Sequence, residues 1–408
     1  MAAGSARLFA AGFRALGVEA EPTPPSDERT RELGARYTSG DECYPAKVTI
    51  GDFMKYLASP EAEPERTVLF MPTSDGPCRF GQYAPYLRRV LDENGYGSVG
   101  ILSPTSQNGY AGLGTLARAF LRTQWRALVA ADILQKLQLI YRPHELVKGE
   151  TDRVYEQCLE DVARVIEHSP LEPRRQLEVL REAMLRARER FRAIRARRDP
   201  DRPLIGVVGE IFCRLNTFSN DDLVRRLEEY GAECWVSDLT EWIWYTNSEQ
   251  FRKLRLQGKQ ISAESFKAWI RTSVQRRDEH VLLEPFREDF AGQEEPPVQE
   301  ILQAAEPYLP AAGALGEMVL NVGKAICLAR RGIDGIVDIS PFTCMNGIVS
   351  EAIYPRLSRD LDGLPIRSFY FDGTEADLDR DLGVYVELAR AYQRRKRYVR
   401  RYPKFPRL

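Results

Sequence analysis

Histidine is scarce in this chain. His144, His168 and His280 are the only three among 408 residues, and none stands at ligand spacing from another. That argues against a histidine-built metal site and against a histidine-based catalytic triad. Long apolar runs are missing as well. No stretch approaches the ~20 residues that a bilayer span needs, and Arg7 and Arg14 interrupt the segment where a signal peptide would keep an apolar core. No excess of one charge exists either: 58 Lys and Arg against 59 Asp and Glu give a formal net charge of −1. The chain as a whole therefore lacks an electrostatic footprint for nucleic acid or an anionic membrane, and any such binding has to be local. A phosphate-cradling Walker-type loop is absent. Seven cysteines, an odd number without a secretion signal, argue for reduced thiols and a cytoplasmic protein rather than a disulfide framework. The opening residues, free of acids up to Glu19, faintly resemble an organelle transit peptide, but an ordinary first helix accounts for them.

What is present points to a globular α/β protein. Hydrophobic residues make up 43% and charged residues 29%, close to ordinary globular averages, and the length suggests two or three domains. Short apolar runs bounded by turn residues read as buried strands at Thr67–Met71, Ser98–Leu102, Leu204–Val208, Glu233–Val236, Gly335–Asp338 and Ile366–Phe371, with a further short strand at Val18–Ala20. Helical periodicity fills the gaps, and such alternation predicts parallel sheets with crossover helices. Between them, 113–200 has long charged segments and no β-rich run. There Leu177, Leu180, Met184, Ala187, Phe191 and Ile194 place one apolar stripe along a helix, as in a bundle or a dimerising coiled coil. The boundaries drawn are 1–112 for an N-terminal α/β domain, 113–203 for a helical connection ending in the linker Asp199–Pro203, and 204–408 for a C-terminal α/β domain.

Three cysteines occupy one kind of place. Cys78 and Cys344 each follow a predicted buried strand and open a helix, and Cys43 opens a helix after Asp41-Glu42. Carboxyl ends of parallel strands are where α/β sheets bind ligands, and helix N-termini favour thiolates. Three converging thiolates would repel one another unless a metal centre neutralised them. Their spacing lacks the compact C-x-x-C grouping of simple ferredoxins, so three incidental thiols stay the alternative. Cys158, Cys234 and Cys327 fall inside helices or a strand and read as small core residues. Cys213, with Glu210 and Asn216, follows the strand at 204–208 and is a candidate pocket residue.

These segments resemble the 2-hydroxyacyl-CoA dehydratase family, in particular its acyl-CoA dehydratase activase-related branch. The resemblance rests on Tyr37-Thr-Ser-Gly-Asp-Glu-Cys-Tyr-Pro45 with Thr49-Ile-Gly-Asp52, on Gly76-Pro-Cys-Arg-Phe-Gly-Gln-Tyr83, on Gly206-Val-Val-Gly-Glu-Ile211 with Asn216-Thr-Phe-Ser-Asn220, and on Pro341-Phe-Thr-Cys-Met345. It implies two flavodoxin-like, doubly wound domains joined by a helical region, and a [4Fe–4S] cluster held by Cys43, Cys78 and Cys344. It further implies low-potential electrons from a separate ATP-hydrolysing activator and reductive or radical chemistry, as a reductase or a 2-hydroxyacyl-CoA dehydratase-type lyase. An acyl-CoA or other small-molecule substrate and a homodimer fit the same picture. Double-cubane relatives need further cysteines, which Ala46 and Lys47 do not provide, so a single cluster is expected. The competing expectations are a cluster-containing regulatory subunit without turnover and a metal-free binder of CoA or another ligand.

Weaker signals complete the reading. Gly112-Leu-Gly-Thr-Leu-Ala117 fits a dinucleotide pattern but does not directly follow a strand. Ser219 and Asp222 suggest a capping box. Glu241-Trp-Ile-Trp-Tyr245 suits either a core or a cavity wall. The basic tail from Arg394 is expected to be a solvated helix end, with docking to an acidic partner or to nucleic acid as the alternative.

Overall fold

The computed structural model describes residues 2–74, 76–104, 117–169, 172–374 and 377–402. The chain opens with α1 (Ala3–Arg14), α2 (Glu28–Tyr37) and α3 (Tyr44–Leu57), followed by β1 (Val68–Phe70), α4 (Tyr83–Glu93) and β2 (Gly100–Leu102). β1 and β2 pair in parallel as a two-stranded sheet. No strand forms at 18–20, where the chain runs irregularly into α2. Asp27 caps α2, accepting from the Thr30 amide while the Thr30 hydroxyl accepts from the Asp27 amide. α2 and α3 cross so closely that a Cβ on Gly51 would stand 2.0 Å from the Thr30 carbonyl, so only glycine fits there.

A helical layer follows: α5 (Ala117–Tyr141), α6 (Glu150–His168) and α7 (Pro173–Arg192). Leu177, Leu180, Met184, Ala187, Phe191 and Ile194 are all buried within the chain's own bundle core, so the stripe serves packing rather than a coiled coil. The bundle draws in α1 through Leu8 and Ala11, and later residues Leu282, Phe286 and Phe290, so it is wider than the segment 113–203. Buried carboxylates stitch it: Asp278 accepts from Arg122 and Arg126, both at 2.8 Å, and Asp289 from Arg188 (2.7 Å) and Arg192 (2.8 Å).

The remaining elements are β3 (Leu204–Gly209), α8 (Ile211–Leu215), α9 (Leu223–Glu229), β4 (Glu233–Val236), α10 (Leu239–Leu256), α11 (Ala263–Leu283), α12 (Val298–Ala305), α13 (Glu317–Arg330), β5 (Gly335–Pro341), α14 (Met345–Asp360), β6 (Ile366–Phe371) and α15 (Leu378–Gln393). The four strands form one all-parallel sheet in the order β4-β3-β5-β6. β3 is buried at every position, which matches its uncharged run and its central place. Strand alternation splits its contacts. Leu204 and Val208 pack with α12 and α13, whereas Ile205 and Val207 meet α9, α15, and Tyr44 and Val48 of α3. The fold class is thus α/β, with helices on both faces of a parallel sheet. Between β4 and β5, α10 and α11 are long helices of 18 and 21 residues.

Two smaller expectations change. α9 begins at Leu223, and Asp221 and Asp222 both lie in the left-handed region, so Ser219 does not cap it. Ser219 is buried and donates its amide to the Asn216 side chain instead. Of the glycine-rich Gly112–Ala117 pattern, 112–116 lie outside the described residues.

The basic tail is not simply solvated. Beyond α15 it crosses the amino end of the sheet as a strap, where Lys396 pairs with buried Asp334 (2.6 Å) and Arg400 pairs with buried Glu233. Gly332 permits the approach, since a Cβ there would lie 2.7 Å from the Arg400 amide. Glu233 also accepts from Gln293 (2.7 Å) and bonds to His144 (3.0 Å). Burial alone would raise its carboxyl, but Arg400 and His144 outweigh burial and hold it well below the usual carboxylate range.

Replacing Arg400 with Met should therefore cost about 3–5 kcal/mol of stability near neutral pH, because a buried carboxylate loses its cation. Urea unfolding measures this. Glu233 has a depressed value, so its pairing stabilises above the unfolded value near 4.5 and is lost as pH falls through the folded one. The deficit of the variant should accordingly narrow in acid, where its Glu233 takes up a proton.

Candidate metal centre

Each of the three singled-out cysteines is the residue immediately before a helix. Cys43 precedes α3, Cys344 precedes α14, and Cys78 precedes the 3-10 turn Arg79–Gln82 that leads into α4. The Cys78 sulfur is approached by the Phe80 amide and the Cys344 sulfur by the Asn346 and Gly347 amides, whereas the Cys43 side chain makes no capping bond to its own helix. Cys43 and Cys344 are half-buried and Cys78 is exposed, while Cys158, Cys213, Cys234 and Cys327 are buried.

One side chain joins the three loops. The Arg79 guanidinium donates to the Asp41 carbonyl (3.1 Å), two residues before Cys43, and to the carbonyl (3.1 Å) and hydroxyl (3.0 Å) of Thr343, next to Cys344. Thr343 has φ +63, a left-handed conformation that a β-branched residue adopts only when its surroundings impose it. Sγ of Cys43 and the hydroxyl of Tyr83 share a hydrogen bond of 2.6 Å. Below this layer Asp52 accepts from Ser26 and Thr30 (both 2.8 Å), and Ser26 accepts from Asn216 (3.2 Å). That chain of bonds ties α2 and α3 to the loop after α8.

The electrostatics differ from what helix dipoles alone suggest. Although the Cys78 residue is exposed to solvent, loss of hydration around its sulfur is the first cause that raises its thiol, and burial pushes Cys344 up to about 12; Glu210 and Glu317 add to both, against opposing amide hydrogen bonds. Desolvation and carboxylates therefore outweigh the helix N-termini at these two sulfurs. Cys213 is raised well above the ordinary thiol range by burial and then by Glu210, which places it beneath the site as a thiol. Glu210 accepts from the Phe212 (3.0 Å) and Cys213 (2.8 Å) amides and so caps α8, and Asn216 is engaged by Ser26 and Ser219. Sequence reading overlooked Glu317, which accepts from Asn346 (2.6 Å), two residues after Cys344. It also assigned no role to Arg79 or Tyr83, although both stand in the segment around Cys78.

The donor residues brought into one region are thiols with carboxylates behind them. Sulfurs on one zinc sit ~2.3 Å from the metal, and among the described residues no three His, Cys, Asp or Glu are grouped for a single ion. Beside Cys78, at the carboxyl ends of β1 and β2, opens a cleft of about 650 Å³ lined by Thr73, Ser74, Gln82, Arg88 and Ser103 among others. That volume is within the ordinary range for a small-molecule site. The Glu241–Tyr245 segment serves mainly as packing: Trp244 meets Trp125 edge-on at 5.2 Å, and Glu241 pairs with buried Lys324 (2.6 Å). Only Tyr245 reaches toward the centre, accepting from the Gly316 amide at 2.8 Å.

Burial first, and Glu210 second, push the Glu317 carboxyl up to about 7. The ionised form is the costly one in the fold. Its share of stability is complete below the unfolded value near 4.5, declines as pH rises toward 7, and is level above that. In metal-free protein, Glu317→Gln should abolish a decline on the order of 3 kcal/mol across that window, measured by urea unfolding at a series of pH values.

Comparison with protein-family models, curated proteins and solved structures finds no match for this chain.

Proposed function

We propose that the protein binds one [4Fe–4S] cluster through Cys43, Cys78 and Cys344 and acts in reductive or radical chemistry on a small molecule, fed by electrons from a separate ATP-hydrolysing activator. The observation that carries this reading is the Arg79 bridge, which draws the loops of all three cysteines together. An exposed arginine that holds a strained threonine beside one thiol and a carbonyl beside another has little packing value, whereas it makes sense as a brace for a shared ligand. The cluster would supply low-potential one-electron chemistry and, with three thiolates for four irons, one iron open to substrate.

The chain's own residues have separable tasks in this scheme. The Phe80 amide at Cys78 and the Asn346 and Gly347 amides at Cys344 would offset part of the negative charge of the assembly. Tyr83, hydrogen-bonded to Cys43, would donate to that sulfur as a cluster ligand, withdraw electron density from it and so tune the potential. Glu317, raised to about 7, would exchange a proton close to the centre near neutral pH, where a departing hydroxyl or a reduced product would need one. The cleft beside Cys78 would admit the substrate, an acyl thioester such as a 2-hydroxyacyl-CoA on the reading above.

Iron and acid-labile sulfide measured on protein prepared without oxygen test the proposal. Cys43→Ala, Cys78→Ala and Cys344→Ala should each lose most of the iron while keeping native circular dichroism. The same change at Cys158, Cys234 or Cys327 should cost only packing, about 1 kcal/mol, and leave the iron in place. Full iron retention in Cys78→Ala or Cys344→Ala would refute the site. Turnover that needs no ATP and no activator protein would remove the second half of the proposal.

A further inference from the structure

α10 and α11 form a hairpin whose far end is unlike the rest of the surface. Leu256 on the first arm is 74% exposed, Ile261 in the turn is fully exposed, and Phe266 and Trp269 on the second arm are 61% and 59% exposed. Ile270 is exposed beside them. The end is nevertheless well built. Ser262 caps α11, Ser265 donates to the Lys259 carbonyl (2.6 Å), and Leu254 and Ala268 are buried between the arms. The Phe266 and Trp269 rings stack at 6.0 Å with an interplanar angle of 18°, so the apolar group is ordered.

Charge at this end is strongly one-sided. Between Glu249 and Val274 the sequence holds six cations and two carboxylates, in a chain of net charge −1. The two carboxylates are spoken for by Arg252 and Lys259. Lys253, Arg255 and Lys267 are exposed and form no ion pair among the described residues.

We propose that the end of this hairpin is a docking surface for an anionic lipid membrane. A second copy of the chain is disfavoured, because two such ends would oppose cation to cation. A partner groove grips one helix face, as helix-in-groove anchors do. Here apolar side chains project from both arms and from the turn, which suits a medium that surrounds the wedge. Lys and Arg on long stems can keep their charges among lipid headgroups while the apolar side chains enter the acyl boundary, and tryptophan favours that boundary. Contact is superficial, since no helix among the described residues is long and apolar enough to cross a membrane. The inference is independent of the cysteine site.

Flotation of the full chain with vesicles of phosphatidylcholine, alone or mixed with phosphatidylglycerol, tests it. The protein should float with the anionic vesicles only, shift its tryptophan emission to the blue on binding, and detach as salt is raised. A Trp269→Phe protein should bind but lose most of the emission shift. Phe266→Ser combined with Trp269→Ser should abolish flotation. Lys253→Gln, Arg255→Gln and Lys267→Gln together should weaken it about a hundredfold, at roughly fivefold per cation near such a surface. All substituted positions are exposed, and circular dichroism checks the fold. Absence of flotation by the unsubstituted chain would overturn the proposal, as would binding that neither set of substitutions alters. Self-association that Phe266→Ser with Trp269→Ser removes, without vesicle binding, would assign the face to protein contact and overturn it equally.

Discussion

The C-terminal half is organised around a strand with no exposed residue. β3 is uncharged and buried throughout, so each of its backbone groups has to find a partner inside the protein, and β4 and β5 supply them on either side. Both faces must then be covered. α12 and α13 close one, and α9, α15 and α3 close the other. The last of these is decisive for the site, because α3 carries Cys43 at its start and its burial against the sheet brings that cysteine toward the loop after β5.

Charges buried at several depths fix how the layers meet. Glu233 anchors the C-terminal strap at the amino end of β4, and Asp278 binds α11 to α5. On the flank of the sheet Lys324 of α13 pairs with Glu241 and Glu295, while Lys136 of α5 pairs with Glu295 at 2.5 Å. The Trp235 indole donates to that same carboxylate at 2.5 Å. Under the cysteine loops, Asp338 accepts from Ser340 (2.8 Å) and Tyr354, and burial pushes its carboxyl up to about 6. Paired charges of this kind add little net stability over apolar packing, yet each is costly to misplace, so they select one arrangement of helices over its neighbours.

Much of the fold is legible in the order of residues. Short apolar runs bounded by turn residues locate the six strands among the described residues, because a buried strand must present apolar side chains at short range. Val18–Ala20 misled for the same reason: three residues carry too little pattern to tell a strand from a chain passing over apolar neighbours. The widened bundle was not legible, since Leu282 and Phe286 lie far in sequence from α5 and only packing shows that they share its core. Basic residues at the tail looked solvated because their partners, Asp334 and Glu233, are distant in the chain.

For the site, the sequence by itself determined that Cys43, Cys78 and Cys344 each open a helix, since turn residues and the following apolar periodicity are local signals. Tertiary structure decided the rest. Arg79 can link Asp41 to Thr343 only because α3, which follows Asp41, packs against the sheet whose strand β5 leads to Thr343. The balance between helix dipole and desolvation at Cys344 depends on Glu210 and Glu317, more than a hundred residues apart in sequence. Electrostatic energy is a sum over distances in space, and a sequence orders only distances along the chain.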